Sequence, residues 1–178
     1  MSQIETIEIL LTESQVQHRI QQLADKISDD YLGKQIHIIC VLKGAAFFAC
    51  KLAQCISVPV SIDFLTVSSY GQGTKSQGVV KMIKDITDSL EGKEVLVVED
   101  IVDSGRTLSS LLDILKQRNP ASLRCCTLLD KPGRREVELD PDYNGFVIPD
   151  EFVVGYGLDY AQKYRNLPYV GILRLEEV

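Results

Sequence analysis

Hydrophobic positions along the chain switch repeatedly between two patterns. Residues 95–98 are a short, unbroken aliphatic run and residues 36–42 a second mostly apolar one, as strands buried on both faces of a parallel sheet read. Each run gives way to a helical pattern. After Thr107, the residues Leu108, Leu111, Leu112 and Leu115 fall at i, i+3, i+4 and i+7, and a helix over 45–54 follows the earlier run. A first helix opens at Thr12, an N-cap with Gln15 three residues on, and carries Val16, Ile20, Leu23, Ala24 and Ile27 along one face before stopping near Gly33. Residues 4–10 read as a short strand or extended arm. The spans 60–67 and 79–84 read as the two arms of a hairpin, and 123–129 and 169–175 as further strands. Two segments break the rhythm. Residues 71–78, with three glycines and two glutamines, carry too little apolar surface to stay ordered, and residues 140–150, with two prolines and a glycine, predict an irregular lobe. Strands alternating with helices predict an α/β fold, a mostly parallel twisted sheet flanked by helices.

Composition narrows this picture without redirecting it. At 178 residues, 45% hydrophobic and 25% charged, the chain is expected to form one globular domain over 1–178. Nineteen basic against 25 acidic residues, a net charge of -6, argues against nucleic acid as a partner. No run of 18 apolar residues appears, so no membrane span is expected, and the opening Met1-Ser2-Gln3-Ile4-Glu5 lacks the parts of a signal peptide. A cytoplasmic location is the expectation. Five cysteines, Cys40, Cys50, Cys55, Cys125 and Cys126, are odd in number, form no C-x-x-C pair and lie in apolar stretches, so free buried thiols are expected. His18 and His37 are isolated and receive no catalytic role.

The chemistry is concentrated where the 95–98 strand meets its helix. Glu99-Asp100-Ile101-Val102-Asp103-Ser104-Gly105-Arg106-Thr107 sets three acids, a glycine and two hydroxyls at a helix N-terminus. Backbone N–H groups, hydroxyls and the helix dipole there suit one anion, most simply a phosphate. Singly, Ser104 or Thr107 reads as an N-cap, Gly105 as a turn residue and the acids as a solvated loop. Together, three carboxylates beside a phosphate pocket call for a cation or a polyol, and a sugar phosphate held with magnesium supplies both. Lys43 and Gly44 end the 36–42 strand, where ligands bind in open α/β sheets. Lys131 stands just past the end of the 123–129 strand.

The 99–107 segment resembles the phosphoribosyl-pyrophosphate loop of the type I phosphoribosyltransferases, and no Walker glycine-lysine-serine/threonine signature occurs. Glu151-Phe152-Val153-Val154-Gly155-Tyr156-Gly157-Leu158-Asp159-Tyr160 resembles the hood of the hypoxanthine-guanine members of that family. The resemblance implies a small hood, formed by the N-terminal arm and about 130–170. It implies that Glu99 and Asp100 bind ribose hydroxyls and that Ser104, Gly105, Arg106 and Thr107 cradle the 5′-phosphate. Lys43 and Gly44 would form a pyrophosphate-binding turn whose joining peptide can be cis, and Ser69 and Tyr70 would open a mobile loop. Lys131 would donate to the exocyclic oxygen of a 6-oxopurine, Phe152 stack on the base, and Val153 read its edge through the main chain. Arg165 would bind pyrophosphate, and Mg2+ would lie near Glu99, Asp100 and Asp159. Asp103 would accept a proton from N7 of the purine. The implied reaction joins phosphoribosyl pyrophosphate to hypoxanthine or guanine, giving IMP or GMP and pyrophosphate, in a homodimer or homotetramer. Two rivals remain: a relative acting on another base such as xanthine, and a regulator that binds a nucleotide as a signal. The acidic balance and the full set of substrate-contact residues count against the regulator.

Overall fold

The computed structural model describes residues 3–69 and 80–177. In chain order, β1 (Gln3–Leu11) leads to α1 (Glu13–Asp30), β2 (Ile36–Leu42), α2 (Ala46–Cys55), β3 (Val60–Ser69) and β4 (Val80–Lys84). Then come β5 (Glu94–Val102), α3 (Arg106–Lys116), β6 (Ser122–Asp130), β7 (Tyr143–Val147), β8 (Val153–Val154) and β9 (Val170–Glu177). The main sheet has six strands in the order β4-β3-β2-β5-β6-β7. Every neighbouring pair is parallel except β3 and β4, the antiparallel hairpin at one edge. The sheet is thus mostly parallel with helices on both faces, as the alternating pattern predicts.

Burial on both faces explains the apolar runs. In β2 and β5, Ile36, Ile38, Cys40, Leu96 and Val98 join Val16, Ile20, Phe48 and Leu52 of α1 and α2 in one core. The alternate residues Ile39, Val41, Val95 and Val97 pack with Leu108, Leu111 and Leu115 of α3 in a second. Thr12 caps α1 through the expected reciprocal box with Gln15. β1, β8 and β9 form a separate three-stranded antiparallel sheet in the order β1-β9-β8, which adds Val153, Val170 and Ile172 to the first core.

Three expectations change. Residues 140–150 are not wholly irregular, because Tyr143–Val147 adds a parallel edge strand to β6. The Asp142 carboxylate accepts the Cys125 N–H at 2.8 Å, and Arg19 donates to the carbonyls of Gly145 and Asn144, each at 2.8 Å, meeting acceptors that no further strand covers. Gly145 serves close packing, since a Cβ there would lie 2.2 Å from the Leu128 carbonyl oxygen. Second, the cysteines are free, but only Cys40, Cys125 and Cys126 are buried; Cys55 is half-buried and Cys50 exposed. The outer side of α2 also leaves Phe47 exposed, on the face that carries the polar Lys51 and Gln54. Third, the cis peptide joins Leu42 to Lys43, one bond before the Lys43–Gly44 link. The expectation for residues 71–78 lies outside the described residues.

His37, unremarkable in the sequence, is 3% exposed. Its Nδ1 lies 2.8 Å from Ser61 Oγ, and its Nε2 has no hydrogen-bond partner among the described residues. Burial, and then the charge of Lys93, lower its pKa below the ordinary value of 6.5. A depressed folded-state pKa contributes stability that is present above the unfolded value and is lost as pH falls through the folded one. The expected result is a melting temperature that drops on acidification below about pH 6.5, with the drop reduced in His37→Gln. Parallel melting curves of the two proteins from pH 5 to 8 check it.

Candidate active site

The carboxyl ends of β5 and β6 open into two cavities that share Asp100, Ile101 and Asp103. The smaller, about 190 Å3, is lined by Glu99, Ser104, Gly105 and Thr107 as well. It lies at the start of α3, whose N-cap is Gly105 in the left-handed conformation (φ 79°) with no side-chain cap hydrogen bond. A side-chain N-cap is the ordinary reading of Ser104 or Thr107, and neither is the N-cap, although Ser104 Oγ accepts the Arg106 N–H at 3.4 Å. The remaining N–H groups of the first turn lie beside a pocket edged with hydroxyls, the arrangement that binds a phosphate. Arg106 is not among the lining residues, and its Nε donates to Glu136 at 2.5 Å.

The larger cavity, about 490 Å3, is lined on one side by Asp100, Asp103 and Lys131 and on the other by Phe152, Val153, Leu158 and Asp159. Lys131 is 6% exposed, and its Nζ lies 3.4 Å from Asp103 Oδ1. Phe152, by contrast, is 54% exposed, its ring held edge-on against Tyr160 at a centroid distance of 5.8 Å, so it is not a core phenylalanine. Val153 is buried.

A third group of residues ties the two ends of the site together. A Cβ on Gly44 would lie 1.6 Å from Asp100 Oδ2, and one on Gly157 would lie 2.0 Å from the Gly44 carbonyl oxygen, so the Gly44 backbone packs directly against the Asp100 side chain and the Gly157 backbone. Arg165 Nη1 donates to the Gly157 carbonyl at 2.7 Å, and Nη2 is ion-paired with Asp159 at 2.7 Å. Lys43 Nζ donates to Gln162 Oε1 at 3.2 Å. Lys43, Gly44, Asp100, Asp159 and Arg165 are thereby neighbours although more than a hundred residues separate the first from the last. Ser69 ends β3; Tyr70 lies outside the described residues.

Glu99 and Asp100 are acids shifted by desolvation. Burial, and then the neighbouring Asp100, push Glu99 well above the ordinary carboxylate range, and its Oε2 is a buried atom without a hydrogen-bond partner. Burial raises Asp100 to about 6 despite the hydrogen bond it accepts from the Ile101 N–H. No three His, Cys, Asp or Glu side chains among the described residues are grouped to hold a metal ion unaided. Magnesium does not require such a cage, because it keeps several waters and binds through one or two carboxylates plus substrate phosphates. The donor set fits that mode.

Sequence reading missed Asp130, Arg135 and Gln162. Asp130 and Arg135 form a largely buried ion pair, and no periodicity distinguishes Arg135 within the polar run Arg134-Arg135-Glu136. A further cavity, about 550 Å3, opens beside α2 between Phe47, Cys50, Tyr156 and Leu167. It has no carboxylate in its lining and so lacks the chemistry of the first two.

A parallel sheet with acids, an uncapped helix N-terminus and paired cations at its carboxyl edge defines a protein that handles a phosphorylated ligand. Residues 7–161 match the family model described as phosphoribosyl transferase domain, and the chain belongs to the phosphoribosyltransferase family. Within that family its full-length likeness is to hypoxanthine phosphoribosyltransferases. The Salmonella typhimurium enzyme of that name is 47% identical over 97% of this chain and 98% of its own length. A hypoxanthine-guanine phosphoribosyltransferase from Bacillus anthracis, solved with a HEPES molecule in the active site, superimposes with a TM-score of 0.90 at 50% identity, over 93% of this chain and 97% of that one. The bifunctional protein TilS/HprT of Listeria monocytogenes is 52% identical over 94% of this chain, which spans about a quarter (26%) of that relative's length.

Proposed function

We infer that the protein transfers the 5-phosphoribosyl group from phosphoribosyl pyrophosphate to hypoxanthine or guanine, giving IMP or GMP and pyrophosphate. The observation that carries this reading is the single cavity in which the Asp103–Lys131 pair faces the exposed Phe152 ring, next to the uncapped start of α3. A carboxylate and an ammonium side by side match the N7–H and O6 of a 6-oxopurine, and the ammonium disfavours the 6-amino group of adenine. The relatives named as hypoxanthine phosphoribosyltransferases support the same substrate class.

The reaction is a displacement at the anomeric carbon. Purine N9 forms the new bond while the bond from C1 to the pyrophosphate oxygen breaks, and the N7 proton passes to the Asp103 carboxylate. Positive charge gathers on the ribose ring and negative charge on the leaving group, so catalysis stabilises both. Ser104, Gly105, Thr107 and the first N–H groups of α3 hold the 5′-phosphate, joined by Arg106. Glu99 and Asp100 take the ribose hydroxyls. Lys43, Gly44 and Arg165 bind pyrophosphate, joined by Ser69 at the end of β3 and by Tyr70, which lies outside the described residues. Phe152 stacks on the base and Val153 meets its edge. Magnesium, when bound at Glu99 and Asp100 with Asp159 near, supplies charge neutralisation to the pyrophosphate. The small sheet of β1, β8 and β9, with the segment from 130 to 170, acts as a hood on one domain of 178 residues. A homodimer or homotetramer in the cytoplasm, with no nucleic-acid or membrane partner, completes the reading; among the described residues no helix is long and apolar enough to cross a membrane.

Phe152→Ala separates stacking from packing. Because the ring is largely exposed, the melting temperature is expected to hold. The KM for the base should rise by the factor that corresponds to about 1–3 kcal/mol of lost stacking, and steady-state kinetics beside a thermal melt check both. The reading as a whole is tested by mixing the protein with phosphoribosyl pyrophosphate and hypoxanthine, with magnesium or with a chelator. Equal amounts of IMP and pyrophosphate, formed only with magnesium, are expected; no IMP with magnesium present overturns the reading.

A further inference from the structure

Arg135 has surroundings that a turn arginine does not need. It lies in the strap between β6 and β7 with its side chain 13% exposed. Nη1 donates to the main-chain oxygen of Asp103 at 2.9 Å, and Nη2 is ion-paired with Asp130. Asp130 is itself 5% exposed, and its other oxygen accepts from Asn144 Nδ2 at 3.0 Å. The next residue is Lys131, whose Nζ returns to Asp103 Oδ1 at 3.4 Å. These contacts close a ring running from the Asp103 carbonyl through Arg135, Asp130 and Lys131 to the Asp103 carboxylate. The stem of Arg135 also backs the phosphate loop, since a Cβ on Gly105 would come within 3.0 Å of Arg135 Cδ.

We propose that Arg135 is a positioning residue that fixes the spacing between the Asp103 carboxylate and the Lys131 ammonium, and through that spacing the preference for a 6-oxo over a 6-amino purine. The inference rests on the base-binding roles given to those two groups above. Asp103 and Lys131 sit on different segments but must grip neighbouring atoms on one purine edge. The β5–β6 ladder ends at the Val102–Asp130 pair, and the Lys131 N–H makes one more bond, to the Val102 carbonyl at 2.9 Å. Past that point the Arg135 fork is a direct cross-link between the two segments. A planar guanidinium can hold one acceptor on each segment at a fixed separation, whereas an ammonium offers a single point charge. If Arg135 served only to neutralise buried Asp130, any partner that removed the charge problem would do.

Two variants separate these roles. Arg135→Lys keeps the charge but not the fork. Truncating Arg135 alone would strand the buried Asp130 carboxylate and threaten folding, so the Asp130→Asn/Arg135→Met double variant removes both charges together. Both are compared with the parent well below their melting temperatures, for kcat, for KM of hypoxanthine and of phosphoribosyl pyrophosphate, and for the hypoxanthine-to-adenine ratio of kcat/KM. In the double variant kcat with hypoxanthine is expected to fall by about 10²-fold, the scale of an ångström-level misplacement. The base ratio is expected to fall about 10-fold or more, and the KM for phosphoribosyl pyrophosphate to stay within about threefold. Arg135→Lys should lie between parent and double variant. A double variant that melts lower yet keeps kcat and the base ratio within about threefold of the parent overturns the proposal and leaves Arg135 a structural partner of Asp130. A parent protein that converts no base overturns the transfer reading itself, and the proposal with it.

Discussion

Asp103→Asn is expected to cut turnover by about 10²-fold to 10⁴-fold, the range for losing a positioned general base, while the protein still binds IMP. The substitution keeps the side chain's shape and removes its capacity to take a proton. Asp103 is suited to the role because its side chain is half-exposed toward the larger cavity while Oδ1 is fixed 3.4 Å from the buried Lys131 ammonium. The same neighbour predicts a smaller second effect. With the carboxylate charge gone, Lys131 loses its nearby counter-charge, so the KM for hypoxanthine should shift as well, by much less than kcat. Single-turnover kinetics with IMP titration separate the two effects. Turnover within a factor of a few of the parent removes Asp103 from proton transfer.

Gly44→Ala is expected to lower kcat/KM for phosphoribosyl pyrophosphate by about 10²-fold, because the added methyl would occupy the space of Asp100 Oδ2, only 1.6 Å away. That oxygen belongs to a side chain and can swing aside, so the fold should survive. The displaced group is nevertheless one of the two acids assigned to the ribose hydroxyls. Gly44 also meets Gly157, so the change reaches the turn that Arg165 braces. Gly133→Ala, whose methyl would meet nothing within 4 Å, supplies the comparison and should behave as the parent. A Gly44→Ala protein with parental kinetics would falsify the close packing of the Lys43 turn on Asp100.

The sequence was most informative where one pattern had one structural meaning. The runs at 36–42 and 95–98 are apolar at almost every position, His37 being the exception, because both sheet faces are covered, and the structure buries them as read. Lys43, Glu99 to Thr107 and Lys131 all follow segments that read as strands of one parallel sheet, so the carboxyl edge of the sheet gathers them without further information. Features that depend on long-range geometry were not legible. The strand Tyr143–Val147 lies among residues that ordinarily make turns, and it forms because β6 offers an open edge and Arg19, far away in sequence, takes its outer carbonyls. On α2 the polar Lys51 and Gln54 mark the outer face, and Phe47, at i-4 from Lys51, shares it although its own apolar character reads as core. Arg135 reads as a solvated charge because its partners, Asp130 and the Asp103 carbonyl, come together only when β5 and β6 pair. The placement of Asp159 beside Arg165 likewise depends on a fold-back of the chain that the hood motif names but does not derive.

The most direct measurement is nucleotide formation from phosphoribosyl pyrophosphate with hypoxanthine, guanine, xanthine and adenine in parallel, each with and without magnesium. Fast conversion of hypoxanthine or guanine that requires magnesium, with adenine inert, is the predicted result. Adenine turned over as readily as hypoxanthine would contradict the pairing of Lys131 with a 6-oxo group. Tight nucleotide binding with no base converted would contradict catalysis altogether and leave a nucleotide-sensing protein in its place.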